Sequence, residues 1–232
     1  MRKSEYVQRL EKVIKQILKP LKEVPFNLVI ESISGCKVIP FDKLKPYDKA
    51  LLKKLKKVAK ESAQKINQKG IESARPNEVG NYIERFVKDV MDKECLNPST
   101  PTGTKGKKKS SGYPDLIFKF KEKPHYLECK TYNIKNINSV QRSFYFSPSK
   151  DFKVIYDAHH LILSFEMFIV RKKGFKNIYK CRHWKILSIE NLLVDVKHEF
   201  NSNNRRLYSK DGGAILLAEQ DTMIKKKKKR RK

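Results

Sequence analysis

The residues most able to do chemistry sit in the middle of the chain. Asp115 follows Pro114, and thirteen positions later comes Glu128-Cys129-Lys130. Side chains alternate between faces along a strand, so Glu128 and Lys130 share a face while Cys129 points away into packing. If the two segments form a hairpin, the Asp115 end of one strand lies beside the Lys130 end of the other. Two carboxylates and a lysine then converge at one end of an otherwise apolar hairpin. Neighbouring carboxylates repel unless a cation lies between them. A hard divalent ion such as Mg²⁺ takes oxygen ligands and is commonly held by one or two carboxylates plus phosphate oxygens, and the carbonyl of Cys129 could add another. A lysine beside it can orient or deprotonate a water, or stabilise charge on a phosphate. The chemistry implied is metal-assisted hydrolysis of a phosphodiester. The bland alternative is a surface salt bridge.

The elements around these residues are legible from periodicity. Residues 116–120 and 126–130 read as strands about a turn at 121–124. The longest apolar run, 160–170, reads as a buried central strand bounded by Lys172-Lys173-Gly174, and 178–189 as its neighbour. His159 and His160 at its start are expected to be hydrogen-bonded packing residues, and Trp184 to lie in the core. Upstream, apolar residues at helical spacing predict a helix from Ser4 to Pro20. A second carries Leu51, Leu52, Leu55, Val58 and Ala59, with Asp48 as its cap. A third opens at Pro76-Asn77 and carries Val79, Ile83, Phe86, Val87 and Val90. The run 26–33 predicts a strand, and Ser188 a cap for a last helix over 189–200. Residues 99–112, rich in Ser, Thr, Gly and Lys, predict a mobile loop. The order is helices, then a mixed sheet, then a helix: α/β (α+β). We expect one domain over 1–220, with a helical part over about 1–70 and a core over about 75–200, followed by a basic, disordered tail at 221–232.

Composition narrows the partner. The chain has 232 residues, with 53 Lys+Arg against 25 Asp+Glu, a formal charge of +28. Eight of those charges lie in 225–232, which leaves +20 on the rest. The body itself is basic, which favours a polyanion. No segment reaches the ~18 apolar residues of a membrane span, and residues 1–21 lack a signal-peptide core. A soluble, cytoplasmic prokaryotic protein is expected. Cys36, Cys95, Cys129 and Cys181 are scattered with no CxxC pair, which argues against zinc ribbons and disulfide frameworks. There is no P-loop and no dinucleotide fingerprint.

Gly112-Tyr113-Pro114-Asp115 and Tyr126-Leu127-Glu128-Cys129-Lys130 resemble the active-site signature of the PD-(D/E)xK nuclease superfamily. The surrounding segments more specifically resemble a type II restriction endonuclease: Asn77-Glu78-Val79-Gly80-Asn81-Tyr82-Ile83-Glu84, the run from Glu128 to Asn133, and Gln141-Arg142-Ser143-Phe144-Tyr145. The resemblance covers about residues 75–170, with a weaker echo to Tyr208. It implies a mixed sheet of about five strands flanked by helices and Mg²⁺-dependent cleavage of double-stranded DNA. It also implies a homodimer on a palindromic site, with a cognate DNA methyltransferase in the same system. Asp115, Glu128 and Lys130 would then be catalytic, with Asp115 and Glu128 as metal ligands. Superfamily members often add an acidic residue from an upstream helix. Glu84 is the candidate, four residues after Gly80 on one helical face, where a glycine would leave room for close approach. Its competitor Glu78 could simply offset the helix dipole, and Glu84 could simply pair with Lys88.

Lys107, Lys108 and Lys109, in a glycine-containing loop just before Pro114-Asp115, suit phosphate contacts. Gln141 and Arg142, with Asn136 and Asn138 nearby, have the chemistry to read base edges. Asn203, Asn204, Arg205 and Arg206 could touch DNA or cap a helix, and the terminal basic run suits an electrostatic tether. Three functions are weighed: a type II restriction endonuclease, a repair or junction-resolving nuclease of the same superfamily, and a basic nucleic-acid-binding protein without catalysis.

Overall fold

The computed structural model describes residues 4–19, 21–106, 108, 112–139, 144, 146 and 151–196. The chain divides into two compact units, Met1–Pro20 with Val196–Lys232, and Leu21–Asp195. The first contributes one described helix, α1 (Glu5–Ile17). The Ser4 hydroxyl accepts from the Val7 N–H, 3.4 Å away, and satisfies one of the free donors of the first turn.

The second unit carries β1 (Val24–Pro25), α2 (Phe26–Ser34), α3 (Pro46–Lys69), β2 (Ile71–Ser73), a 3-10 turn (Pro76–Glu78), α4 (Val79–Lys93), β3 (Leu116–Phe120), β4 (Lys123–Tyr132), β5 (His159–Lys173), β6 (Lys176–Ser188) and β7 (Leu193–Val194). Five strands form one mixed sheet in the order β2-β6-β5-β4-β3. Only β4 and β5 run parallel. Their connection runs through residues 133–158, as a parallel crossover demands a long one.

Strand alternation sends side chains into two separate cores. Leu116, Phe118, Leu127, Cys129, Leu161, Leu163 and Phe165 face the stripes of α3 (Leu51, Leu55, Val58, Ile66) and α4 (Ile83, Val87, Val90, Met91). Tyr126 and Ile162, one residue out of phase, face Phe26 and Ile30 of α2 on the opposite side. The expected α/β architecture, a five-stranded mixed sheet flanked by helices, is the observed one. Trp184 packs against the first core. No helix among the described residues is long and apolar enough to cross a membrane.

Four local expectations need correction. Residues 26–33 form a helix, not a strand. The apolar run is short enough to fit either period, but Phe26, Ile30 and Ile33 fall on one helical face and pack together. Pro25 opens the helix in extended geometry and Gly35 ends it at φ 72°. The helix expected over 189–200 is absent as far as residue 196. The Ser188 hydroxyl bonds the Glu190 carboxylate, and the carbonyls of Glu190 and Leu192 accept the N–H groups of Asn27 and Phe26. This segment therefore caps α2 with carbonyls a helix would have used itself, and β7 pairs with β1. Residues 197–200 lie outside the described set. Asp48 does not cap α3, which opens at Pro46. It is buried and accepts from the Asp42 N–H and from His159. The hairpin turn is tighter than expected. Lys121 and Glu122 alone connect β3 to β4, both at positive φ (46° and 62°), the hand that matches strand twist in a two-residue loop.

Phe26 joins α2 to the sheet. It is fully buried, edge-on to Tyr113, Phe144, Phe146 and His160 with ring centroids 5.5–5.9 Å apart. Phe26→Ala should lower unfolding free energy by about 3–5 kcal/mol, read from urea melts. An unchanged midpoint would mean the cluster collapses around the gap.

Candidate active site

The register of the hairpin sets the geometry. Leu116 pairs with Leu127, so the next positions outward, Asp115 and Glu128, face each other. One step further Pro114 would stand opposite Cys129. Proline has no N–H to donate, and the Pro114 carbonyl is taken by the Lys153 ammonium at 2.8 Å. The ladder cannot continue, and side chains take its place. The Cys129 N–H donates to Asp115 Oδ2 at 2.8 Å, and the Asp115 N–H donates to Glu128 Oε2 at 3.1 Å. Each carboxylate is held by the backbone next to the other.

Lys130 lies on the Glu128 face as strand alternation requires, with its Nζ 2.7 Å from Glu128 Oε1. It also stands over the Phe144 ring, 5.7 Å from the centroid. Glu128 is 4% exposed and the Lys130 side chain 26%, so the lysine is the member that reaches solvent. Cys129 points into the α3–α4 core. Burial raises the Asp115 carboxyl above its usual range, opposed by the Cys129 N–H and by Lys130 and Lys153. Burial also raises Glu128, and the Asp115 charge raises it further, against the pull of Lys130. Two acids with raised affinity for a proton, side by side, form a site short of positive charge.

That deficit suits a divalent cation. Asp115 Oδ1 has no hydrogen bond among the described residues, whereas Oδ2 is fixed by Cys129. The donors are hard carboxylate oxygens, as Mg²⁺ prefers. No group of three His, Cys, Asp or Glu side chains able to hold a metal occurs among the described residues. The acidic unit is the pair.

Glu84 stands apart from that pair, 3.6 Å from Lys88 on its own helix. It is not remote. Burial pushes the Cys129 thiol up, and the charges of Asp115, Glu84 and Glu128 push it further. α4 runs beside the end of β4, where a Cβ built on Gly80 would sit 3.8 Å from the Thr131 hydroxyl. That is ordinary contact, so the approach does not require the glycine. Glu78 is engaged elsewhere and accepts from the Ser73 hydroxyl at 2.8 Å.

His159 and His160 are buried and bonded. His159 contacts the Ile39 carbonyl and Asp48, while His160 Nδ1 meets the Tyr113 hydroxyl at 2.5 Å. Lys108 is exposed, bridging Thr102 in an isolated strand pair. Lys107, Lys109, Gln141, Arg142, the 203–206 cluster and the basic tail lie outside the described residues.

Sequence reasoning missed Lys153. It is 3% exposed, and its ammonium donates to the carbonyls of Gly112 (2.5 Å) and Pro114 (2.8 Å). No local pattern marks it, because its partners meet it only through tertiary closure.

The chain matches the sequence model of the Type II restriction enzyme MjaV family over residues 20–211. It is 42% identical over 222 residues to the Type II restriction enzyme MjaV of Methanocaldococcus jannaschii, an alignment spanning 89% of this chain and 94% of that protein. No solved structure matches it. With a buried glutamate, a half-buried aspartate and a lysine at the end of its central hairpin, and a match that spans most of its length, the chain belongs to the type II restriction enzyme MjaV family.

Proposed function

We propose that the chain cleaves phosphodiester bonds of double-stranded DNA at the Asp115–Glu128–Lys130 end of the β3–β4 hairpin, with Mg²⁺ as cofactor. A member of this family is a site-specific deoxyribonuclease of a restriction system, and that is this chain's activity. The observation that carries the catalytic assignment is the reciprocal holding of two carboxylates, Glu128 buried and Asp115 half-buried, beside Lys130 where the ladder stops. Asp115 and Glu128 are the metal ligands, and Glu84 adds negative charge from α4. When bound, Mg²⁺ polarises a phosphoryl oxygen and lowers the pKa of the attacking water. Lys130 orients that water through its ammonium or, once it has lost a proton and is a neutral amine, takes the water's proton at Nζ, for in-line attack. The burial of Glu128 keeps bulk water off the acid pair, which strengthens its electrostatics.

Lys107, Lys108 and Lys109 contact phosphates, and Gln141 and Arg142 read bases. The enzyme works as a cytoplasmic homodimer on a palindromic site, alongside a cognate DNA methyltransferase. The nuclease domain spans 1–220, and the basic tail at 221–232 tethers it to DNA.

The test is a digest of long unmethylated duplex DNA with Mg²⁺ or EDTA, beside Lys130→Ala. Discrete fragments that need Mg²⁺ and vanish in the variant are the expected result. A smear, or cutting of branched DNA only, would favour a repair nuclease. Intact DNA shifted equally by both proteins would leave charge as the whole function.

A further inference from the structure

Outside the acid pair and Lys130, Lys153 is the one lysine buried among the described residues, and it lies against the same loop. It sits in the segment entering β5, where its charge acts on Asp115 and no hydrogen bond among the described residues joins it to Asp115 or Glu128. Among its acceptors are the carbonyls of Gly112 and Pro114, which bracket Tyr113. The second of these is decisive. The carbonyl of Pro114 and the N–H of Asp115 belong to one planar peptide unit. Lys153 holds the oxygen end of that unit, and its N–H end donates to Glu128 Oε2. One rigid plane thus connects the buried ammonium to one member of the acid pair and sets the backbone from which the other projects. A cation on the carbonyl also polarises the amide and strengthens the bond its N–H makes.

The segment around Lys153 is itself pinned. The Asp151 carboxylate accepts from the Lys105 N–H (3.0 Å) and the Thr104 hydroxyl (3.1 Å). The Tyr126 hydroxyl, from β4, accepts the N–H groups of Ile155 and Tyr156. Residues 151–156 therefore form a strap anchored on β4. It holds the loop at 104–105 and at 112–114.

We propose that Lys153 is a positioning residue for cleavage, acting through the Pro114–Asp115 peptide plane to hold Asp115 in register with Glu128. The proposal rests on the catalytic assignment of Asp115 and Glu128 made above. A buried ammonium with two carbonyl acceptors also stabilises the fold, so loss of activity alone would not establish the role. The distinguishing reading is the split between binding and turnover. A displaced Asp115 slows chemistry and raises the Mg²⁺ needed, while the surface that grips DNA is untouched.

The experiment compares Lys153→Met, Lys153→Gln and Lys153→Arg with the parent and with Asp115→Ala, on the full chain and long unmethylated duplex DNA. Single-turnover cleavage is measured across Mg²⁺ concentrations, and DNA affinity in Ca²⁺. The expected result for Lys153→Met is a cleavage rate lower by about 10- to 100-fold, since a misplacement of about 1 Å is enough for that. Its half-saturating Mg²⁺ should rise several-fold and its DNA affinity stay within about twofold. Lys153→Arg, which keeps charge and donors, should recover much of the rate. If Lys153→Met does not fold, Lys153→Gln is read by the same two measurements. The proposal is overturned if the variant cuts within about threefold of the parent, or if cleavage and DNA affinity fall together without rescue by arginine. Asp115→Ala separates the two assignments. If it is inert while Lys153→Met is intact, only the role of Lys153 falls; if it still cuts, both fall.

Discussion

Asp115→Asn should slow cleavage by about a thousandfold or more and at the same time make the folded protein more stable at neutral pH. The two effects have one cause. Burial raises the Asp115 carboxyl in the folded state above its usual range. A folded acid that holds its proton more tightly than the unfolded one favours folding at low pH. That contribution disappears as pH rises from the unfolded value through the folded one. At neutral pH the ionised carboxylate is therefore a burden on stability, increased by the neighbouring Glu128 charge it raises in turn. Asparagine removes the charge and keeps an oxygen to accept the Cys129 N–H now held by Oδ2. The gain is on the order of 1 kcal/mol, or about 2–4 °C in melting temperature for a chain this long. The loss of activity follows because the amide is a poor ligand for a hard divalent cation. Melting in EDTA and single-turnover cleavage on the same preparations test both halves. A variant that melts lower than its parent, or that still cuts, would remove Asp115 from the role assigned to it.

The hairpin was the legible part of this site. The two strands and their shared end were readable, but the turn was read as 121–124; the observed two-residue turn sets the register that places Asp115 opposite Glu128. Cys129 turns inward and Lys130 joins Glu128, as alternation alone requires. The long period of α4 and the apolar run of β5 were equally readable. Errors gathered where a run was short. At 26–33 eight residues fit both periods, and what decides for helix is burial of Phe26 and Ile30 against a sheet made far away in sequence. At 189–196 a serine before an apolar stretch looks like a cap, but the backbone carbonyls there satisfy α2 instead. Asp48 failed as a cap for the same reason, because a buried histidine from β5 claims it. Lys153 carried no signal, since in a chain with this many lysines a buried one is indistinguishable from a solvated one until the strap closes over it.

Divalent cation should bind competitively with protons at this site, and the competition has a sign that can be checked. Asp115 and Glu128 must both be ionised to hold a metal, yet burial raises both carboxyls. At low Mg²⁺ the acid limb of the cleavage profile should lie above the ordinary carboxylate range. Raising Mg²⁺ should move it to lower pH, by up to about one unit per tenfold for each competing proton. The same linkage makes the cation a stabiliser of the fold. At a hundredfold excess over its dissociation constant, a ligand that binds only the native state adds about 2.7 kcal/mol, or about 5–10 °C here. Ca²⁺ serves as the probe, since the hard carboxylate oxygens accept either ion. The parent should melt higher in Ca²⁺ than in EDTA, whereas Asp115→Asn, already relieved of the repulsion and short of a ligand, should respond far less. Equal upward shifts in both proteins would place the cation elsewhere. A cleavage profile whose acid limb ignores Mg²⁺ would mean that the protons being lost belong to groups other than this acid pair.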